Sequence, residues 1–307
     1  MIKKTLSLLL FGISAYSFQA CSPLSEDASR SILTTTSMSA DMLRTITPVS
    51  VNIDGLMGPG TDPHLYKPTV GDMQRIDRAK HIIISGFHLE GKTAEVLEGL
   101  KEQKQVYALT EGLAAGDAIN ETAFQDGIDP HFWLDVALWK KATAGASEQL
   151  MEWYPQSADS IEFLSSSYIQ ELNELDAWVR GQTARIPDSL RILITTHDAM
   201  NYFARAYGFE VKSLQGFSTA AEFGLKDVTE LVDFIVEKRV PAIFVENILS
   251  DQSLKAVAEG CRSRGWDVQV GASLYTDALG EKGSGAEVYI GMMRHNVQSI
   301  TRGLLGE

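Results

Sequence analysis

Asp62-Pro63-His64 and Asp129-Pro130-His131 repeat one tripeptide at two distant places in the chain. Proline holds φ near −65° and drives the residue before it toward extended backbone, so each histidine projects from a stiff stretch. In the second copy Asp129 reads as an N-cap and Pro130 as the first residue of a helix reaching about Ala144. A side chain fixed in this way at an element boundary suits metal ligation. His197 stands where the strand-like Arg191–Thr196 gives way to the helical Ala199–Tyr207, and open α/β sheets bind ligands at such carboxyl ends of strands. Asp277, in Leu274-Tyr275-Thr276-Asp277, follows the last strand. Three imidazoles and one carboxylate make a shell for Zn2+, and for Mn2+ when the carboxylate is bidentate.

The other polar candidates have plainer readings. His81 opens an apolar strand and His88 follows Gly86-Phe87 at its exit, which suits hydrogen-bonded structural histidines. His295 lies mid-helix beside Arg294 and is expected on the surface. Asp135, one helical turn after His131, could ligate the metal but is better placed to accept from the second nitrogen of His131. Asp198 is a candidate cap for the helix after it, and Glu246, at a strand end, is a reserve ligand or a partner for one. Neither a phosphate-binding glycine fingerprint nor the Gly-x-Ser-x-Gly elbow of hydrolases occurs.

Positioning these residues is the work of alternating strands and helices. Strands are expected at Ile32–Thr36, Val49–Met57, His81–Ser85 and Gln105–Leu109, with helices from a Ser37 cap to Ile46, at Thr69–Ala79 and at Glu90–Lys101. Glu111–Gly127 is rich in Gly, Ala and Asp and reads as a loop. Ile161, Leu164, Tyr168, Leu172, Leu175 and Val179 then line one face of a single helix from about Asp159 to Arg185. Such a helix spans about 40 Å and reads as a stiff connector between two lobes. Alternation resumes with Glu210–Leu214, Ala242–Glu246 and Val268–Val270 as strands, and Leu225–Lys238, Asp251–Arg264 and Ala286–Arg302 as helices. The fold class is α/β: two lobes, each a mostly parallel sheet flanked by helices, joined by one long backbone helix.

With 307 residues and 44% apolar content, the chain can bury two cores. A formal charge of −13 argues against nucleic acid and against a basic membrane-binding face. Lys3 and Lys4, an apolar run from Leu6 to Phe18, and Ala20-Cys21 read as an export signal over residues 1–20. Cys21 after a small residue suggests lipidation there, while Phe18 and Gln19 depart from the usual lipidation pattern and leave cleavage by an ordinary signal peptidase as the alternative; 21–31 reads as a flexible tether. Cys261, the only other cysteine, gives no intramolecular disulfide framework and is expected to be structural. The domains expected are a lobe at 32–155, the connecting helix at 156–187 and a lobe at 188–307.

Five ordered motifs resemble the TroA-like receptors of bacterial zinc and manganese ABC transporters: Met57–Tyr66, Asp129–Asp135, Thr196–Gly208, Gly216-Phe217-Ser218-Thr219 and Leu274–Asp277. The resemblance covers nearly the whole mature chain. It implies two α/β lobes joined by a long backbone helix with the metal between them, in an extracytoplasmic solute-binding component, not an enzyme, that delivers metal to a permease and its ATPase; a monomer with its lipid anchor at Cys21 is expected. It also carries the metal-ligand role to His64, His131, His197 and Asp277. A histidine at the third position goes with zinc or dual zinc/manganese members. The segment 111–127 lacks the histidine-rich loop of many zinc-dedicated ones. Rival readings are a surface adhesin with a structural metal, an exported zinc hydrolase, which needs an open coordination position, and a haem or siderophore receptor on the same plan.

Overall fold

The computed structural model of the chain describes residues 31–120 and 127–307. The proposed signal, Cys21 and all of the tether except Ser31 lie outside them. Ser31 begins the first strand. In the N-terminal half, β1 (Ser31–Thr34), β2 (Asn52–Gly55), β3 (His81–Ile84) and β4 (Gln105–Ala108) form one parallel sheet in the order β2-β1-β3-β4. The helices α1 (Ser37–Ile46), α2 (Val70–Arg78) and α3 (Lys92–Glu98) connect them. Thr36, not Ser37, caps α1, its hydroxyl accepting from the Ser39 N–H at 3.3 Å. β2 is shorter than the run Val49–Met57 because Val51 N–H turns back to the Pro48 carbonyl, and β1 offers four residues to pair with. Glu111–Gly127 is not all loop. Its described part holds 3-10 turns at Leu109–Gly112 and Ala115–Asp117, and an antiparallel bridge from Asn120 to Ile128.

The next helix, α4 (Val136–Trp153), starts later and ends later than its sequence suggests. Asp129 does not cap it, because that carboxylate is committed to His131. Phe132–Leu134 form a buried 3-10 turn instead, and Asp135 is the cap, accepting from Ala137 N–H at 2.8 Å. Asp135 is therefore not the partner of the His131 ring. Gly145 does not stop α4 either. A Cβ there would fall 2.6 Å from the Tyr107 hydroxyl, so the glycine permits close packing on the Leu109–Gly112 turn.

The long helix α5 (Ala158–Thr183) has 26 residues and buries Ile161, Tyr168, Leu172, Leu175 and Val179. At 1.5 Å per residue it extends about 39 Å. Beyond it lie β5 (Ile192–His197), α6 (Asn201–Tyr207), β6 (Glu210–Gln215), α7 (Leu225–Lys238), β7 (Ala242–Ile243), α8 (Gln252–Ser263), β8 (Gln269–Val270) and α9 (Tyr289–Leu305). The parallel pairs β5–β6 and β7–β8 are joined where Phe244 N–H donates to the Ile194 carbonyl at 2.8 Å. The C-terminal half thus runs β6-β5-β7-β8, the same order as the first half.

One continuous apolar cluster includes Ile32, Met42, Trp139, Leu172, Phe244 and Ile300. It therefore draws on both halves and on α4, α5 and α9. Among the described residues, no helix is long and apolar enough to cross a membrane. Cys261 is buried in α8, as its apolar neighbours suggest.

Candidate metal centre

His64 sits on the loop after β2, beyond Gly58-Pro59-Gly60. Its N–H donates to Asp62 Oδ1 at 2.9 Å, and the Thr219 hydroxyl donates to Asp62 Oδ2 at 2.7 Å. The second tripeptide repeats the local bond: His131 N–H donates to Asp129 Oδ1 at 2.9 Å. This aspartate-to-i+2 turn aims the ring, and in the second copy it does more, since His131 Nδ1 also lies 2.7 Å from Asp129 Oδ1. Asn201 Nδ2 donates to the other Asp129 oxygen, and the Tyr202 hydroxyl to its carbonyl.

His197 ends β5. Glu246, just past β7, accepts from His197 N–H and lies 2.9 Å from His197 Nδ1, and its second oxygen accepts from Thr196 N–H at 3.0 Å. A carboxylate only accepts, so Asp129 and Glu246 hold the proton on Nδ1 and leave each Nε2 lone pair for a ligand. Asp277 is placed by its neighbour, because the Thr276 carbonyl accepts from Trp133 Nε1 at 2.6 Å.

The four side chains meet at one point. His131 Nε2 lies 3.3 Å from His64 Nε2 and 3.4 Å from His197 Nε2. Asp277 Oδ1 is 3.2 Å from His131 Nε2, and Oδ2 is 3.1 Å from His197 Nε2 and 3.4 Å from His64 Nε2. A tetrahedral shell with bonds of about 2.0–2.1 Å has edges of about 3.3–3.4 Å. These spacings match that figure. Both oxygens of buried Asp277 lack a hydrogen bond of good geometry, although three ring nitrogens lie within 3.4 Å. Lone pairs aimed at a common centre, not at one another, account for that. With both Asp277 oxygens facing nitrogens, the set also suits a five-coordinate ion.

Electrostatics follow from burial and close charge. Burial acts to lower His131, but the Asp277 and Asp129 carboxylates outweigh it and raise its pKa to about 9. His197 is raised well above the ordinary value against the same burial, by Asp277 and Glu246. Burial opposes the ionised form of Asp277, yet His197 and His131 hold it well below the usual carboxylate range. His64 is lowered, chiefly by burial. A metal entering this site displaces protons from imidazoles.

A sequence model of the family described as "Zinc-uptake complex component A periplasmic" matches residues 32–303. The chain belongs to this family. It is 42% identical over 280 residues, 91% of each chain, to the manganese-binding lipoprotein MntA of Bacillus subtilis. It is 28% identical to the manganese ABC transporter substrate-binding lipoprotein scaA of Streptococcus gordonii, covering 97% of this chain and 96% of that one. The solved structure of the periplasmic zinc-binding protein TroA from Treponema pallidum superposes with a TM-score of 0.86 at 38% identity, over 90% of this chain and 99% of that one.

The remaining polar candidates of this zinc-uptake family member stand apart from the cluster. His81 pairs through Nδ1 with the Tyr154 hydroxyl and stacks on Trp153, and burial with Lys80 nearby lowers it to about 4. His88 is exposed with φ +55°. His295 is not free on the surface: half-buried, it donates to the Ser273 carbonyl and packs on Tyr275. Asp198 does not cap α6, whose N-cap position is Met200, and is instead paired with Asn201. Asp129, Asn201, Tyr202 and the Asp62–Thr219 pair are contributors that sequence reading missed. The signal was present, because in both tripeptides aspartate stands two residues before histidine.

Proposed function

We propose that the chain is the extracytoplasmic solute-binding component of an ABC importer, and that His64, His131, His197 and Asp277 hold its cargo, Zn2+ or either Zn2+ or Mn2+. The observation carrying this reading is the convergence of three Nε2 atoms and two unpartnered carboxylate oxygens at metal-shell spacing. Capture needs no bond-breaking chemistry. The four side chains replace the ion's waters, Asp129 and Glu246 keep two imidazoles in the ligating tautomer, and the protein docks on a permease coupled to an ATPase for release. Four protein donors fill a tetrahedral shell, which supports a receptor over a hydrolase.

The names of the two lipoprotein relatives support a location outside the cytoplasm with a lipid anchor; we place that anchor at Cys21 and take the protein to work as a monomer. We divide the chain into lobes at 32–155 and 188–307 and a connecting helix at 156–187; the two four-strand orders on either side of α5 support this division. The test is competitive titration of metal-stripped protein with Zn2+ and Mn2+, alongside His197→Ala and Asp277→Ala. Tight 1:1 binding lost in both variants is expected. Binding indifferent to both substitutions would overturn the site.

A further inference from the structure

Three of the four candidate ligands rest on buried ties. Asp129 and Glu246 are both 0% exposed, and Thr276, beside Asp277, is bonded to buried Trp133. His64 differs. Its loop crosses to the C-terminal half only through Gly60 N–H to the Leu279 carbonyl at 3.3 Å and through Asp62 to Thr219, among the bonds described. Asp62 and Thr219 are half-buried, and the His64 side chain is 4% exposed where those of His131, His197 and Asp277 are at 0%. The site is thus approached from the His64 side.

A cavity of about 390 Å³ opens there, lined by His64, Phe87, His88, Pro130, Phe217 and Ser218 among others. A divalent ion with six waters needs roughly 180 Å³ at about 30 Å³ per water, so it fits. The far wall belongs to Gly216-Phe217-Ser218-Thr219, which the metal shell itself does not use. This segment is a compact turn: Ala221 N–H donates to the Ser218 carbonyl, and Gln215 Nε2 to the Thr219 carbonyl. Asp198 N–H donates to the Gly216 carbonyl at one end, and at the other the Thr219 hydroxyl donates to Asp62 Oδ2, while Asp62 Oδ1 braces His64.

We propose that Thr219 is a positioning residue that latches the metal's exit. Its hydroxyl, through Asp62, keeps His64 on the ion and holds the Gly216–Thr219 turn against the vestibule. Breaking that bond unties the His64 loop from the turn, leaving Gly60–Leu279 as the loop's pivot while Asp198 N–H still holds the Gly216 carbonyl at 3.2 Å. The ion then leaves by way of His64 and the cavity. This rests on the metal-receptor reading above.

The experiment is stopped-flow release of Zn2+ into a chromogenic chelator, with capture rates measured separately, for wild type and for Thr219→Val, Thr219→Ala and Thr219→Ser. Losing one hydrogen bond to a charged acceptor corresponds to roughly ten- to hundredfold. Release from the Val and Ala variants is expected to quicken by at least about tenfold, with capture also faster, so that Kd shifts less than the release rate. Serine, which keeps the hydroxyl, is expected to restore wild-type release. Unchanged release in a folded Val or Ala variant, or weaker binding through slower capture alone, would overturn the latch. Failure of the wild type to bind Zn2+ would instead remove the receptor reading on which the latch rests. Alanine adds no bulk, so it serves should valine disturb the turn.

Discussion

Glu246→Gln isolates what a residue outside the metal shell contributes. The native carboxylate is fully buried and accepts from two backbone N–H groups, while lying 2.9 Å from His197 Nδ1. An amide of the same size has one oxygen for these three groups. Oriented to serve His197, it turns its NH2 toward Thr196 N–H and leaves that buried donor without an acceptor, which costs about 1–3 kcal/mol of folding stability. Oriented the other way, it faces His197 Nδ1 with a donor and favours the proton on Nε2, where the metal must bind. Loss of such a ligand-supporting group lowers metal affinity by about 10–100-fold, or about 1.4–2.7 kcal/mol. In either orientation a buried N–H loses its acceptor and the negative charge beside His197 is gone, so both effects are expected in the variant. Urea denaturation of metal-free protein reads the first, and competition against a zinc chelator reads the second. A variant that loses stability yet binds Zn2+ within about threefold of wild type would refute the orienting role.

Proton competition sets a second expectation. His131 in the metal-free site holds its proton up to about pH 9, so apparent zinc affinity should climb with pH from about 6 to about 9, by up to roughly tenfold per unit for each proton displaced; a flat isothermal titration series would contradict this. Burial lifts Asp41 to about 6 against the Tyr289 N–H and Arg44, which lower it. The folded chain therefore keeps a proton that the unfolded chain has released, and stability falls as pH rises from about 4 to about 6. Asp41→Asn keeps an acceptor for Tyr289 and should be more stable at pH 7 by about 1–3 kcal/mol, with the gain absent near pH 3.5, as urea curves at the two pH values would show. Leu172→Ala, at a fully buried position of α5, should cost about 2–5 kcal/mol and lower Tm without altering the metal shell; an unchanged Tm would mean that α5 is not packed as described.

The sequence displayed the element types and the converging residues more clearly than the boundaries. Rigid Asp-Pro-His backbone and a histidine at a strand's carboxyl end are local features, legible before any tertiary contact is known, whereas their convergence depends on long-range ties such as Trp133 to Thr276 and Glu246 to His197. The start of α4 was harder to read, because Pro130 after Asp129 and Val136 after Asp135 are both sound helix openings. What decides is a tertiary demand: Asp129 is taken by His131, so capping passes to Asp135. The helix runs past Ala144 for a similar reason, since the missing side chain of Gly145 serves contact with Tyr107 and Gly112. Thr36 and Ser37 are equivalent as caps on paper, and Ser37 is drawn off to accept from Leu279 N–H. The repeated strand order of the two halves left no trace in the sequence, because parallel pairing depends on backbone and not on matching side chains.

The apolar cluster that runs through both halves by way of α4, α5 and α9 bears on how cargo is chosen. A receptor whose halves swing freely spends part of its ligand's affinity on the swing, and can reject a wrong ligand by failing to close. Halves that share one packed interior leave little such motion to draw on. Discrimination is then left to donor type and spacing, and a nitrogen-rich set ranks the first-row metals by their intrinsic order, with zinc above manganese. Occupancy is then that ranking weighted by supply: manganese fills the protein only where its excess over zinc outweighs zinc's tighter binding.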